Sequence, residues 1–297
     1  MLGGVTVNLI LGFFIYMMIL FFYGRDELKP KNIPDGLAVI NEMEQFGFRD
    51  GDNILSVNGK ELDDVTDINR YLLVRDVSKV EVKRNDGSIE VLSLPDTIGN
   101  YIFKKGLRFP FTPRRSTIID SVVNDLPAFK NGLKKGDNIV SINDKEINFF
   151  GEIKKEINKK PINETSTLVY ERNNILDTIS ITPDEEGRLG VINTTFKNYN
   201  PVKKEYSFGE AITKGFSFGY WTLHDYVAQF KYVFTKKGAT QLGGFGTIAK
   251  VFPPTWNWEA FWYSTALISI ILAFMNILPI PALDGGCLLY TSPSPRD

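Results

Sequence analysis

Two long stretches without a charged residue lie near the two ends of this chain, and they constrain its fold more than any other feature. They cover residues 4–23 and 260–283, which are 20 and 24 positions long. Twenty helical residues are enough to span the roughly 30 Å of a bilayer core. Trp256, Trp258 and Trp262 lie at the start of the second stretch, as in the aromatic belt of a membrane interface. The sequence therefore predicts two spanning helices around a largely polar middle.

The first stretch has one alternative, a cleavable signal peptide, which fits poorly. No basic residue precedes the stretch, and no Ala-x-Ala-like cleavage site follows it.

Composition excludes other classes of protein. The chain has 34 Lys and Arg against 35 Asp and Glu, so it lacks the basic excess that nucleic-acid binding needs. With one His and one Cys, it can form neither an internal disulfide nor a two-His metal site by itself.

The polar middle contains a repeat. The segment at residues 47–61, GFRDGDNILSVNGKE, returns 85 positions later at residues 132–146 as GLKKGDNIVSINDKE. Each copy has a Gly-Asp turn, a short strand with alternating apolar residues, and an Asn-Gly or Asn-Asp turn. Further strands are predicted at residues 79–84, 89–94, 166–172 and 176–182. Two copies indicate tandem domains rather than a solenoid.

The second copy, in which Ala128 precedes Gly132, resembles the PDZ domain in the form found in bacterial proteases; the first copy lacks that Ala. The resemblance implies a small β-sandwich or barrel whose groove accepts an extended peptide by strand addition. The groove edges are expected near residues 36–40 and 117–122. The candidate groove residues are Leu37, Val39, Ile118 and Ile119. A role as a spacer or size filter is the alternative for either copy, and the sequence leaves both roles open.

A connector is predicted at residues 185–237. Apolar side chains recur at helical spacing in its second half, with Lys and Asp on the opposite face. This pattern predicts an amphipathic helix at the membrane surface. The helix contains His224, which we interpret as a packed or interfacial residue because a lone His on such a helix lacks partner ligands.

The end of the second apolar stretch carries the residues with the most chemical information. Pro279 and Pro281 each remove a backbone donor and disfavour helix at the preceding residue. Broken backbone at membrane depth is tolerated where it is buried in protein or lines a cavity. Asp284 follows directly, and an ionisable group there needs a partner such as a cation. The alternative is an ordinary helix end with Asp284 in water, and spacing alone does not decide between the two.

The motif Asn-x-x-Pro-x-Pro-x-Leu-Asp-Gly-Gly at residues 276–286 resembles the second signature of the site-2 protease family of intramembrane zinc metalloproteases. The order of a membrane helix, two PDZ-like copies and a membrane helix resembles the bacterial branch that cleaves anti-sigma factors, the regulator-of-sigma-E type. Residues 4–8 and 243–248 resemble two glycine-containing stretches of that branch. Together the resemblance covers nearly all of residues 1–286.

This resemblance implies that Asp284 is the third ligand of a catalytic Zn²⁺. The other ligands would be the two His of an H-E-x-x-H helix, whose Glu would act as general base on the zinc-bound water. Asn276, Pro279, Pro281 and Gly285 would shape the cleft that holds an unwound substrate.

The sequence departs from the family pattern because it contains no H-E-x-x-H, a motif that the family places upstream of residue 4. We therefore expect a chain truncated at its start that is inactive by itself. Residues 287–297 resemble a translated sequencing adapter, so this tail and its Cys287 carry no weight in the fold or function.

The predicted fold is multi-domain α+β, with membrane α-helical segments flanking two small β-rich PDZ-like domains. The predicted segments are a transmembrane helix at 1–24, PDZ-like domains at 30–96 and 97–184, the connector at 185–237, a glycine-rich segment with the second helix and metal motif at 238–286, and the tail at 287–297.

The functional hypothesis is a fragment of an intramembrane zinc metalloendopeptidase that cleaves membrane-anchored regulators such as anti-sigma factors. It would lie in a bacterial inner membrane with the PDZ-like domains on the periplasmic side. Its partners would be a transmembrane protein substrate, peptide or protein termini at the PDZ-like domains, and the lipid bilayer. The alternative is a catalytically dead, membrane-tethered PDZ scaffold. A soluble serine protease is nearly excluded, because no Gly-x-Ser-x-Gly or Gly-Asn-Ser-Gly-Gly occurs.

Overall fold

The computed structural model describes residues 2–233 and 255–278. Its helices in chain order are α1 Leu2–Tyr23, α2 Ile68–Val74, α3 Ile98–Lys105, α4 Pro127–Lys130, α5 Phe150–Ile157, α6 Phe208–Val233 and α7 Trp258–Ile277. Its strands are β1 Arg25–Glu27, β2 Leu37–Val39, β3 Asn53–Val57, β4 Lys79–Lys83, β5 Ile89–Ser93, β6 Phe111–Pro113, β7 Ser121–Val122, β8 Asn138–Ile142, β9 Lys145–Glu146, β10 Ser166–Arg172, β11 Ile175–Ile181, β12 Val191–Ile192 and β13 Val202–Lys204.

Helices α1 and α7 are the two helices of the described residues that are long and apolar enough to cross a membrane. Both are apolar around the whole helix, and a helix of that kind belongs in a large core or in lipid. Large apolar side chains on the outer face of α1 are exposed, including Ile10 and Phe22 at 65% each. These outward faces are the ones that a bilayer would cover.

The second apolar stretch forms a shorter helix than predicted. Helix α7 begins at Trp258 and ends at Ile277, whereas the prediction covered residues 260–283. Leu278 has extended backbone angles, φ −66° and ψ 139°. It precedes Pro279, and a proline ring disfavours the helical region for the residue before it. The expected break before the first proline is therefore confirmed, and residues from 279 onward lie outside the described part.

Helices α1 and α7 pack side by side in opposite directions. The Tyr16 ring lies against the Tyr263 ring, with centroids 6.2 Å apart. Two turns nearer the start of α1, the Asn8 carbonyl accepts a hydrogen bond from the Ser269 hydroxyl at 2.8 Å. Because residue numbers fall along α1 as they rise along α7, the start of α1 and the end of α7 lie at the same end of the pair.

Glycine allows this close approach. A Cβ atom added to Gly12 would lie 2.7 Å from Cγ1 of Ile270 and 3.2 Å from the Ala266 carbonyl oxygen. Small residues at such contacts let two membrane helices pack through backbone proximity. The helix pair is therefore held by shape complementarity and by the hydrogen bond from Ser269.

The first repeat unit, residues 28–113, contains the antiparallel sheet β3-β4-β5 and the separate pair β2-β6. Helices α2 and α3 cover its core, which runs from Leu28 to Phe111. The predicted domain boundary between residues 96 and 97 falls inside this core. Ile98 and Ile102 of α3 pack in the same cluster as Leu72 of α2. The first unit therefore extends past the predicted boundary to β6.

The second repeat unit, residues 114–195, repeats this plan with the sheet β11-β10-β8-β9 and the pair β7-β12. Helix α5 contributes Ile153 and Ile157 to its core, where they pack with Leu168 and Leu189. The strands expected from the hydrophobic pattern are present as β3, β4, β5, β8, β10 and β11. The hairpin between β10 and β11 turns through Asn173 and Asn174, which have left-handed φ of 52° and 62°.

In both units, an arginine donates hydrogen bonds to the repeated Gly-Asp turn. In the first, Asp52 Oδ2 accepts from the Arg49 backbone N–H at 2.8 Å and from Arg84 at 2.6 Å. Arg84 also donates to the Gly47 carbonyl at 2.9 Å. Both side chains of the Asp52–Arg84 pair are almost fully buried. The aspartate is therefore a structural residue that closes the turn.

The same arrangement recurs in the second unit. Asp137 accepts from the Lys134 backbone N–H at 2.8 Å and from two nitrogens of Arg172 at 2.6 and 2.7 Å. Arg172 also donates to the Gly132 carbonyl at 2.8 Å. The hydrogen bonds to Asp137 raise the pKa of the Arg172 guanidinium above its ordinary value. The sequence repeat is thus a structural repeat that includes a distant arginine.

Helix α6 joins the first repeat unit to the membrane helices. Strand β13, which precedes α6, pairs with β1 directly after α1. Early in α6, Gly215 and Gly219 lie against α1, where added Cβ atoms would meet Met17 at 2.6 Å and Phe13 at 3.0 Å. The predicted helix is therefore present. Its placement at a membrane surface remains a prediction.

Candidate functional site

The candidate membrane site begins where α7 ends. Asn276 lies in the last turn of α7 and is partly buried. It is seven residues beyond Ser269, which is about 10 Å along a helix. Since Ser269 is level with Asn8, Asn276 lies at the level where α1 begins. The chain that carries the rest of the motif therefore leaves α7 beside the start of α1.

The other predicted motif residues, Pro279, Pro281, Asp284 and Gly285, lie outside the described residues, as does Cys287. Within residues 2–233 and 255–278, no group of three or more His, Cys, Asp or Glu side chains could hold a metal ion. The one His of the chain cannot supply a His pair. The described residues therefore do not form a zinc site by themselves.

His224 lies on α6 with a side chain that is 41% exposed. Its Nδ1 is 3.2 Å from Oδ1 of Asp225, and its ring packs edge-on against Trp221. The nearest acidic group is thus the next residue in the chain.

Asp225 connects α6 to the first repeat unit. It is 3% exposed, and its two carboxylate oxygens accept from Nε and Nη2 of Arg75 at 2.8 Å each. Arg70 of α2 lies 3.4 Å from the same carboxylate. The Arg75 guanidinium is stacked between the rings of Tyr71 and Trp221, at 3.9 and 4.1 Å from their centroids. One buried carboxylate thus pairs with Arg70 of α2 and with Arg75, the residue that follows α2.

A second contact supports this docking. The Tyr232 hydroxyl, near the end of α6, donates to the Leu73 carbonyl of α2 at 2.7 Å. Its ring stacks on Phe103 of α3 with centroids 4.3 Å apart. Two separate turns of α6 therefore contact the first unit.

Leu37 and Val39 lie in β2, whereas Ile118 and Ile119 lie in the segment just before β7. Leu37 and Val39 are buried, and β2 pairs with β6 along one edge. Along the other edge, Leu37 donates to the Asp52 carbonyl and accepts from the Gly51 N–H, while the Val39 N–H donates to Asp50. The side chains and backbone of Leu37 and Val39 therefore serve the fold.

The same holds in the second unit. Ile119 is buried, and its backbone bonds to Asp137 and Gly136 at 2.8 Å each. Ile118 is 45% exposed and forms a bridge with Asn138. The strand that pairs with this segment, β12, is the outer one. The four predicted residues therefore lie on the inner side of the β2-β6 and β7-β12 pairs, and their role in binding a peptide remains a prediction.

Asp120, which follows Ile119, fixes the chain beyond β12. It accepts hydrogen bonds from the backbone N–H and the hydroxyl of Thr194 and from the hydroxyl of Thr195. The Thr194 N–H and then its hydroxyl lower the pKa of the Asp120 carboxyl. This carboxylate therefore holds β12 in register with β7.

Several important residues escaped the sequence analysis because their partners are far away in the chain. They are Asn69, Arg75, Arg84, Arg172 and Asp225. For Arg84 and Arg172 a signal existed, since both stand at the end of the strand before a hairpin of each copy. For Asp225, the signal was an acidic residue on an aromatic-rich helix.

Comparison with known proteins agrees with this architecture. The profile of peptidase family M50 matches residues 1–292. The chain is 26% identical to a protein of Neisseria meningitidis named "Putative zinc metalloprotease" and 25% identical to the regulator of sigma E protease of Haemophilus influenzae. Each alignment covers 97% of this chain and 68% of the relative. The chain also spans 43% of the length of a Staphylococcus aureus protein named "Putative zinc metalloprotease", to which it is 26% identical over 59% of this chain.

A solved PDZ domain of a Listeria monocytogenes protein is also similar. It is 23% identical, with a TM-score of 0.24, over 28% of this chain and 90% of that structure. The profile match spans nearly the whole sequence, from α1 through both repeat units to the motif after α7. The chain therefore belongs to peptidase family M50, the site-2 protease family of membrane-embedded zinc metalloproteases.

Proposed function

We propose that this chain is part of an intramembrane zinc metalloendopeptidase and that Asp284 is one of its zinc ligands. The observation that carries the proposal is the helix break at Leu278 beside the start of α1. Asp284 follows this break by six positions in the sequence. A carboxylate that lies so close in the chain to an apolar helix requires a partner such as a cation or a proton donor. The complete site would need ligands that the described residues do not supply.

The substrate class follows from this placement. A peptide bond cleaved at this depth belongs to a membrane-spanning segment, which must unwind locally before hydrolysis. We propose a membrane-anchored regulator of the anti-sigma-factor kind as substrate. Asn276, Pro279, Pro281 and Gly285 would line its path. The location would be a bacterial inner membrane, with the repeat units on the periplasmic side.

The test uses the complete protein that contains this chain, purified in detergent. Asp284→Asn keeps the size of the side chain but removes the negative charge that binds zinc. We expect zinc content, measured by elemental analysis, to fall at least tenfold, and cleavage of a membrane-anchored reporter to be lost. Asp125→Asn is the matched control, since Asp125 lies in an exposed turn of the second unit.

Two results would contradict the proposal. If Asp284→Asn keeps full zinc content and full cleavage, Asp284 is not in the site. If the unmodified complete protein binds no zinc at all, the catalytically dead scaffold is the correct reading.

A further inference from the structure

The outer edge of the first PDZ-like groove is filled by a side chain of the protein itself. Strand β6 pairs with β2 along one edge, and the Ile40 N–H donates to the Pro110 carbonyl just before it. In an antiparallel pair, the next residue directs its N–H and C=O to the opposite edge. That residue is Phe111, whose N–H donates to Oδ1 of Asn69 at 2.9 Å and whose carbonyl accepts from Nδ2 of Asn69 at 2.8 Å.

The Asn69 side chain is a carboxamide, the same chemical group as a peptide bond. It accepts from the strand and donates to the strand at one residue, as a peptide backbone does in β-sheet addition. In the first unit, the Phe111 edge of β6 therefore binds an amide group in the way that it would bind a peptide backbone. An incoming peptide would have to displace Asn69.

The corresponding edge of the second unit lacks such a cover. The Val123 N–H donates to the Gly190 carbonyl at 2.8 Å, so these two residues form a hydrogen-bonded pair of the β7-β12 ladder. The next pair along the ladder, Val122 and Val191, is therefore a non-hydrogen-bonded pair. The N–H and C=O of Val191 thus point away from β7. Among the described residues, β7-β12 is a two-stranded sheet, so no third strand lies along this edge.

Lys154 takes the place of Asn69 in the second unit. It is 85 positions later, the same offset as the sequence repeat, and lies on α5 as Asn69 lies on α2. The start of α5 is anchored to the Arg115 carbonyl by the Phe150 N–H at 3.0 Å, much as α2 is anchored by Val65 to Leu28. Lys154 is exposed, and its ammonium has no hydrogen bond or ion pair with another described residue. An ammonium has no acceptor, so it cannot satisfy the Val191 N–H.

We propose that the second repeat unit is the peptide-binding module of this chain and that the first is closed by Asn69. The ligand is an extended peptide that bonds to Val191 as an added strand of β12 and carries a carboxylate for Lys154. The carboxylate can be a free C-terminus or an acidic side chain. This proposal does not depend on the peptidase function, because binding is measured without cleavage.

The test measures hydrogen exchange of the full chain in detergent, with and without a library of random decapeptides that have free C-termini. In the unmodified protein we expect the library to slow exchange in residues 189–193 and to leave residues 106–113 unchanged. Lys154→Asn places a carboxamide in the second unit at the position that Asn69 has in the first. We expect it to occupy the Val191 edge and to abolish the protection of residues 189–193. Asn69→Ala opens the first edge, so residues 106–113 should then become protected by the library.

The chemistry of the carboxylate is tested in a separate arm. Lys154→Ala removes the charge but leaves the edge open, so binding should weaken about tenfold rather than disappear. A library with amidated C-termini distinguishes a terminal carboxylate, whose binding is lost, from an acidic side chain, whose binding persists.

Three outcomes would overturn the proposal. They are no protection of residues 189–193 in the unmodified chain, protection that persists in Lys154→Asn, or protection of residues 106–113 while Asn69 is present. Because Lys154 is exposed, its replacement is not expected to unfold the unit, and circular dichroism checks this.

Discussion

Arg84 forms ion pairs with two carboxylates, Asp52 and Glu90, which differ in how far they are buried. Asp52 is enclosed, whereas Glu90, the other acceptor of Arg84, is half exposed. Removing one partner of a buried pair leaves an uncompensated charge. We expect Asp52→Ala to lower the free energy of unfolding of the first unit by about 3 kcal/mol, measured by urea denaturation in detergent. Glu90→Gln keeps the buried pair and should have a much smaller effect. Equal effects of the two variants would contradict this reading.

Asp120 gives the second unit a pH dependence of known sign. Hydrogen bonds from Thr194 lower the pKa of Asp120 in the folded chain. The stabilisation is therefore fully present above the unfolded carboxyl pKa of about 3.9 and is lost as pH falls through the lower folded value. We expect the melting temperature of the second unit to fall in this acidic range, and Asp120→Asn to flatten that dependence. An unchanged pH profile in Asp120→Asn would show that other groups control it.

At the residue scale, the Gly-Asp turn was predictable from the sequence, but its arginine partner was not. The repeated Gly-Asp was visible because its members are adjacent in the chain. Arg84 and Arg172 reach Asp52 and Asp137 only after two strands have paired, and the β3-β4 register also contains an irregularity. Local pattern carries no information about which long side chain crosses a sheet.

At the scale of elements, the α1–α7 contact depends on the absence of a side chain at Gly12. We expect Gly12→Leu to force the helices apart, because a Cβ there would already meet Ile270 at 2.7 Å. The readout is disulfide formation between cysteines introduced at positions 8 and 269, which should fall several-fold. Gly4→Leu is the control, since no atom lies within 4 Å of its added Cβ. Equal cross-linking in both variants would contradict the packing.

Strands with five or more residues were predictable, and the shortest were not. Strands β4, β5, β10 and β11 have clear hydrophobic patterns and hairpin turns, so local chemistry is sufficient to find them. Strands β6 and β12 have three and two residues, and they form only because β2 and β7 lie alongside. The predicted groove residues therefore came from β2 and the segment before β7, because β6 and β12 have no local signature in the sequence. Their role in binding a peptide stays a prediction.

At the scale of the whole molecule, Asp225 holds the first repeat unit against α6. Asp225→Ala would leave Arg75 and Arg70 without their carboxylate at a buried interface, which costs about 3 kcal/mol or more. We expect hydrogen exchange to accelerate in residues 68–75 and 220–232. Gln229→Ala is the control, because Gln229 is an exposed residue of the same helix and the substitution keeps the contacts of Asp225. If Gln229→Ala produces the same acceleration, the docking does not depend on Asp225.

Domain order was predictable from the sequence, whereas domain contacts were not. The two apolar stretches and the repeat determined the sequence of parts along the chain. The extent of the first unit was underestimated, because α3 and β6 carry no repeat signature yet complete its core. The Arg75–Asp225 ion pair joins residues 150 positions apart, a separation at which a single sequence offers no pairing signal.

The carboxamide that occupies the edge of β6 has a consequence for how duplicated modules are counted. A module can keep its core, its turn and its buried arginine while one polar side chain blocks the strand edge at which a peptide would bind. Two copies of the same fold then provide one peptide-binding site and one purely structural unit. In chains of this architecture, the residue eight positions after the end of each repeat copy, which is Asn69 or Lys154 here, would tell how many peptides the molecule can bind. The number of copies alone would not.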